Sequence, residues 1–250
     1  MTKENWFDSF NRHFEVIPAN TDELIKQVKA LRFQIYCVEH PFEDKTTFKD
    51  GLEQDQYDQR AVHSLVRHLK SKPDEAAVAT VRLVLSDNQN PQNGFPIEDH
   101  CSISPEDRSS ISLKFERKQI AEISRFAVSK QFRRRVGESE TIHGIAEHKV
   151  PVIEKDDRRL VPHITLGLFQ AIVQMSAENN IKLWYAVMET QLLRLLKRFG
   201  IRFTQIGEPV NYHGLRVPCI GPVDEVMSGI RRDCPAVWEF ITQKGRLWPY

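Results

Sequence analysis

Residues 119–137 read QIAEISRFAVSKQFRRRVG. Gln119–Val128 is strand-like, and three arginines and a glycine follow within nine residues. Glu122 and Arg125 stand among apolar neighbours, where an unpaired buried charge is expensive. Alternation along a strand sends Glu122, Ser124 and Phe126 to one face and Arg125 to the other. The two charges can serve one point only if the strand bulges between or just after them. In a regular strand, Arg125 joins an ion network instead.

The 250-residue chain is long enough for one large domain or two small ones. A net charge of +1 gives no global field to favour nucleic acid. The start, MTKENWFDSFNRHF, lacks the apolar run of a signal peptide, and no run of about 18 apolar residues predicts a membrane span. Cys37, Cys101, Cys219 and Cys234 form no CxxC pair and read as reduced thiols of a cytoplasmic protein. His143 and His148 have no carboxylate or thiol at ligand spacing, so no metal is expected.

From the N-terminus, Trp6, Phe7, Phe10 and Phe14 predict a short helix with an aromatic stripe, followed by a strand over His13–Ile17. The stripe covers a core edge, or an acyl-chain pocket as a lid. Asn20 and Glu23 resemble a capping box opening a helix whose buried stripe is Leu24, Val28, Leu31 and Ile35. Arg32 and Tyr36 project together about 100° away, at the core margin or into solvent. Glu53, Asp55 and Asp58 form either a solvated acidic loop or a cradle for arginines or a substrate ammonium. Ala61–Leu69 and Ala77–Leu85 predict a hairpin, in which Arg82 needs a partner and Asp55 and Asp58 are nearest.

Asp87–Ser112 reads as a long connection with a helical turn near Ser104-Pro105. Glu138–Pro162 reads as an insertion. Beyond it the expected elements are a helix over Ile164–Ala177, a strand over Lys182–Met188 and a helix over Glu189–Phe199 closed by Gly200. Strands at Ile201–Ile206 and Tyr212–Ile220 follow, then partly helical Val223–Phe240. The order implies one mixed α/β domain over 1–250, with 1–20 and 138–163 as additions.

No Walker loop, GxGxxG, GxSxG or HExxH occurs. Arg134-Arg135-Val136-Gly137-Glu138-Ser139 resembles the R-x-x-G-x-G/A loop with which acyl-CoA-dependent N-acyltransferases of the GNAT fold hold pyrophosphate. More specific is the ordered set Arg32, Tyr36, Glu53-x-Asp55-x-x-Asp58, Arg82-Leu83 and Glu122-x-Ser124-Arg125-Phe126-Ala127-Val128. This set resembles the autoinducer (acyl-homoserine-lactone) synthases. The departures are Tyr36 for a Phe, no Trp between helix and acidic motif, and the insertion. FQIYCVEHPFED, SRFAVSKQFRRR and YHGLRVP resemble the branch of acyltransferases associated with PEP-CTERM/exosortase systems.

The resemblance implies a GNAT-like α/β (α+β) fold, its mixed central sheet flanked by helices and opened by a V-shaped cleft at 119–128. It implies transfer of a fatty acyl group from acyl carrier protein (acyl-ACP) or acyl-CoA to a small amine, with no permanently bound cofactor. Catalysis then falls to Glu122, Ser124 and Arg125. Arg32, Tyr36, Glu53, Asp55, Asp58 and Arg82 form a charge network ordering the N-terminal segment. Phe126, Ala127, Val128, Arg133, Arg134, Arg135 and Gly137 meet the donor. An apolar setting raises the Glu122 pKa from about 4.3, which suits a base for the incoming amine. The competing expectations are a lactone synthase using S-adenosylmethionine and a non-catalytic acyl-binding protein of a surface-sorting system.

Overall fold

The computed structural model describes residues 6–72, 76–130, 160–211 and 214–248. Its elements begin with α1 (Trp6–Asn11), β1 (Phe14–Pro18), α2 (Asp22–Phe33), β2 (Ala61–His68) and β3 (Ala77–Leu85). Then come α3 (Pro96–His100), α4 (Pro105–Lys114), β4 (Ile120–Val128) and α5 (Leu160–Glu178). The remainder is β5 (Leu183–Met188), α6 (Thr190–Arg198), β6 (Thr204–Gln205), β7 (Val210–Asn211), β8 (Leu215–Pro222), α7 (Val223–Asp233) and α8 (Pro235–Ile241).

Hydrogen bonds join the strands in the order β1-β2-β3-β4-β5-β8-β6, with β7 on β8. The β4–β5 pair is parallel, whereas β1–β2 and β5–β8 are antiparallel. A parallel neighbour needs a long crossover, and α5 lies in it. Leu183–Ala186 are all buried, the pattern of a strand covered on both faces. Among the described residues, no helix is long and apolar enough to cross a membrane.

Contacts gather in two compact units, and β2, β3, β4 and α5 each contribute to both. The first comprises 1–54, 63–81 and 125–171. Its core joins Val28, Leu31, Ile35 and Tyr36 to Leu65 and Ala127. Phe10 and Phe14 of the aromatic stripe are buried with ring centroids 5.6 Å apart. Gly167 of α5 makes room for Phe10, because a Cβ there would stand 2.6 Å from the ring. The second unit comprises 55–62, 82–124 and 172–250, and its core joins Tyr57, Phe95, Ile97, Ile120, Leu183 and Tyr185.

Several expectations move. Thr21, not Asn20, caps α2: its hydroxyl accepts from the Leu24 N–H at 3.3 Å, the shorter reach to an N3 amide. The helix does not simply end but widens into a π-turn over Gln34–Glu39. The 87–112 connection holds two helices, α3 and the ten-residue α4, where one turn was expected. The strand expected at Ile201–Ile206 shrinks to Thr204–Gln205: Ile201 and Ile206 are buried, Phe203 is half-buried, and Arg202, Thr204 and Gln205 are exposed. The one expected at Tyr212–Ile220 lies at Leu215–Pro222. Of the 138–163 insertion only residues from 160 are described, and α5 has begun there.

Candidate active site

β4 pairs with β5 only from Ile120–Leu183 to Ile123–Ala186. Two residues on, Arg125 takes a left-handed backbone with φ 49°. That conformation costs an L-residue with a full side chain roughly 1–2 kcal/mol, and in a strand it makes a bulge. The ladder with β5 therefore ends where the strand bends, while Val187 and Met188 go on pairing with β8.

The bend did not release Arg125 from ion pairing. Its Nη2 donates to Glu53 Oε1 at 2.8 Å, and Arg32 Nε donates to the other oxygen, Oε2. Arg125 also lies 5.1 Å from the Tyr36 ring centroid and 3.7 Å from Glu43 Oε1. Arg32 is wholly buried, neither marginal nor solvent-facing. Burial opposes ionisation of Glu53, but the Arg125 and Arg32 guanidiniums outweigh it and hold the carboxyl at about 2. Burial, then the Glu53 and Glu43 charges, push the neighbouring Cys37 thiol up to about 11, which leaves it unreactive at neutral pH.

A second cluster belongs to the other unit. Arg82 grips Asp55 with both Nη groups at 2.6 and 2.9 Å, reaches Asp58 Oδ1 at 2.8 Å, and donates from Nε to Ser124 Oγ at 2.9 Å. Asp55 and Asp58 also form a capping box on the turn Gln56–Arg60, so the acids are aimed before Arg82 meets them. The acidic loop is a cradle for arginines. The single network expected for Arg32, Arg82 and Arg125 is instead two clusters, because Glu53 pairs with Arg32 and Arg125 whereas Asp55 and Asp58 pair with Arg82.

Glu122, one residue before the end of the β4–β5 ladder, is 2% exposed. Its Oε2 accepts the Ile97 N–H at 2.7 Å. Burial pushes its carboxyl up to about 8; the Ile97 amide and Arg82 pull it down, and Glu98 and Asp99 push it further up. A carboxylic acid tuned to neutral pH can exchange a proton with an amine, which an ordinary glutamate does weakly. Ser124 is the exception to the buried run of β4, being half-buried against Arg82.

Phe126, Ala127 and Val128 are buried, and the Phe126 ring faces Phe169 at 6.0 Å. Lys130 N donates to Glu39 Oε2 at 2.7 Å. Arg133, Arg134, Arg135 and Gly137 lie outside the described residues. Sequence reasoning missed Tyr57, the Ile97 amide, Glu98, Asp99 and Arg117. The F-P-I-E run at 95–98 carries a helix-start signal, a proline followed by an acid, that would have found α3. Among the described residues no His, Cys, Asp and Glu cluster is arranged to hold a metal.

The family model for the acetyltransferase (GNAT) domain matches residues 31–142, which include every charged residue of both clusters. No curated protein matches the chain. Among solved structures, the chain is similar to a CoA-dependent acyl-homoserine lactone synthase, BjaI, with SAM and isopentyl-CoA. The two are 18% identical over 94% of this chain and 89% of that one, with a TM-score of 0.53. It is also similar to FeeM, an N-acyl amino acid synthase from uncultured soil microbes. There the identity is 14% over 86% of this chain and 93% of that one, with a TM-score of 0.52. At such identities the likeness shows the fold, which is GNAT-like.

Proposed function

We propose that this acyltransferase of GNAT-like fold is an N-acyltransferase, moving a long fatty acyl group from a phosphopantetheine thioester to a small amine such as an amino acid. The observation that carries the reading is Glu122: a buried carboxyl pushed up to about 8, one residue before the β4–β5 ladder ends. An ammonium cannot attack. Glu122 takes its proton, directly or through water, and the neutral nitrogen adds to the thioester carbonyl. The oxyanion so formed is held by backbone N–H groups turned out at the Arg125 bulge. It collapses with the C–N bond kept and the C–S bond broken, and Glu122 returns the proton to the departing thiolate. The nitrogen gives up its second proton to water as the amide forms, so the products are an amide, a thiol and one proton released to solvent, with charge balanced.

In this reading the two arginine clusters hold the N-terminal segment over the donor, and Phe126, Ala127 and Val128 back the acyl thioester. Arg133, Arg134, Arg135 and Gly137 receive phosphate or the acidic face of a carrier protein. Both donors are cytoplasmic, and we place the enzyme there. The motif resemblance to the PEP-CTERM/exosortase-associated branch supports a long-chain donor.

The second reading is a lactone synthase, favoured by the Arg32–Tyr36–Glu53 and Arg82–Asp55–Asp58 sets that such enzymes resemble. One experiment separates the two: purified protein with acyl-ACP or acyl-CoA, a pool of amino acids, and S-adenosylmethionine present or absent, with products read by mass spectrometry. N-acyl amino acid is the expected product. A lactone formed only with S-adenosylmethionine would support the second reading, and thioester left intact would sink both. Glu122→Gln should lower kcat by roughly 10²–10⁴-fold with little change in KM for the donor.

A further inference from the structure

α3 is five residues long, too short to hold itself together by its own hydrogen bonds. Other groups fix it. Glu98 closes its N-terminus, accepting from Phe95 N–H at 2.9 Å. Arg117, just ahead of β4, meets both oxygens of Glu98 at 2.6 Å, a fork-to-fork pair. The same guanidinium lies 4.3 Å from the Phe95 ring centroid. At the other end Tyr57 Oη donates to Asp99 Oδ2 at 2.8 Å. A Cβ at Gly94 would stand too close to Asp99 Oδ1 and push that carboxylate aside. What all of these contacts place is one group, the Ile97 N–H, 2.7 Å from Glu122 Oε2.

We propose that Arg117 and Glu98 are positioning residues: clamping α3, they hold the Ile97 amide against Glu122 and so set the pH at which Glu122 exchanges its proton. The inference builds on the base role of Glu122 argued above. The charged and titratable groups facing Glu122 are Arg82 from β3, Glu98 and Asp99 from α3, Cys101 just beyond, and Tyr185 from β5. Arg117 and Glu98 act on this set in opposite senses. Removing Arg117 loosens the amide and uncovers the Glu98 charge, and both changes favour the protonated acid. Glu98→Gln keeps an oxygen for Phe95 N–H, and Arg117 still holds Asn93 O and the Phe95 ring, so α3 stays seated. What changes is the loss of a negative charge beside Glu122 and of the ion pair that neutralised Arg117, and both favour the carboxylate.

The test measures stability against pH for Arg117→Met and Glu98→Gln, each with and without Glu122→Gln, so that the difference locates the ionisation of Glu122. Acyl-transfer rates are followed over the same pH range. Arg117→Met should move the ionisation up by about one pH unit, making transfer about tenfold slower at pH 7 but unchanged on the alkaline plateau. Glu98→Gln should move both the other way. A merely structural clamp would lower stability and rate at every pH, and an ionisation unmoved in both variants would overturn the proposal. An ionisation that moves as stated while the rate profile stays put would uphold the positioning and overturn the base role. If Arg117→Met fails to fold, Arg117→Lys keeps the charge without the fork and should give a smaller upward shift.

Discussion

Arg125 holds a left-handed backbone with a full side chain because Glu53 takes its guanidinium. Two substitutions separate these contributions. Arg125→Gly and Arg125→Ala both leave Glu53 with one guanidinium in place of two, so both should be less stable than the wild type. Glycine relieves the strain that alanine keeps, and should be the more stable variant by about 1 kcal/mol in chemical denaturation. Alanine equal to or above glycine would mean that the bulge carries no strain. Glu122 makes a prediction of the opposite electrostatic sense. Its folded-state pKa is raised from 4.5 to about 8, so the stability from holding the proton is complete below about pH 4.5 and lost by the time pH passes 8. Relative to Glu122→Gln, the wild type should lose up to about 1.4 kcal/mol per pH unit across that window. Parallel curves would show that the carboxyl is not perturbed. Both residues were visible in the sequence as charges in an apolar strand. The bulge was visible only as a condition, because alternation says that a bend is needed for convergence and cannot say that one occurs.

At the level of elements, the turn Gln56–Arg60 and strand β3 are fastened by Arg82 through Asp55 and Asp58. Removing one member leaves a buried charge with too few partners, so Arg82→Ala or Asp58→Ala should cost on the order of 3–5 kcal/mol. Equal melting temperatures for wild type and Arg82→Ala would contradict that. This pairing was legible because a charge at mid-strand demands a partner and the acids lay close in sequence. The hairpin, β5 and α6 were legible for a different reason, since their apolar periods are strong and their ends carry turn residues. The π-turn after α2 was not. It adds width to one helical turn without a local signature, and it keeps Tyr36 buried against the core where Arg125 can meet it. Nor was α3, whose placement depends on Arg117 and Tyr57, 19 and 42 residues from their partners.

For the whole molecule, the two charge clusters lie in different compact units, yet each takes one acid from the same short run, Glu53-Gln54-Asp55, and one residue from the same step of β4, Ser124-Arg125. On the strand, alternation separates the adjacent Ser124 and Arg125, one for each cluster. Residues two apart, such as Glu53 and Asp55, are not separated by alternation, and a turn of the loop parts them. Charge type and order in the sequence were enough to list the members. They could not divide them, because which side of the loop each acid faces is fixed only when the loop meets the strand.

The contact between Glu53 and Arg125 closes across 72 residues of chain. Closing so long a loop is entropically dear, and such contacts are late events in the formation of a native structure. Glu53→Gln should therefore leave the rate of refolding nearly unchanged and speed unfolding instead, with a φ-value near zero in a chevron measured by stopped flow. The same ion pair that fixes the bend in β4 would then act as a latch on the finished protein: it governs how long the native state persists, not how fast it is reached.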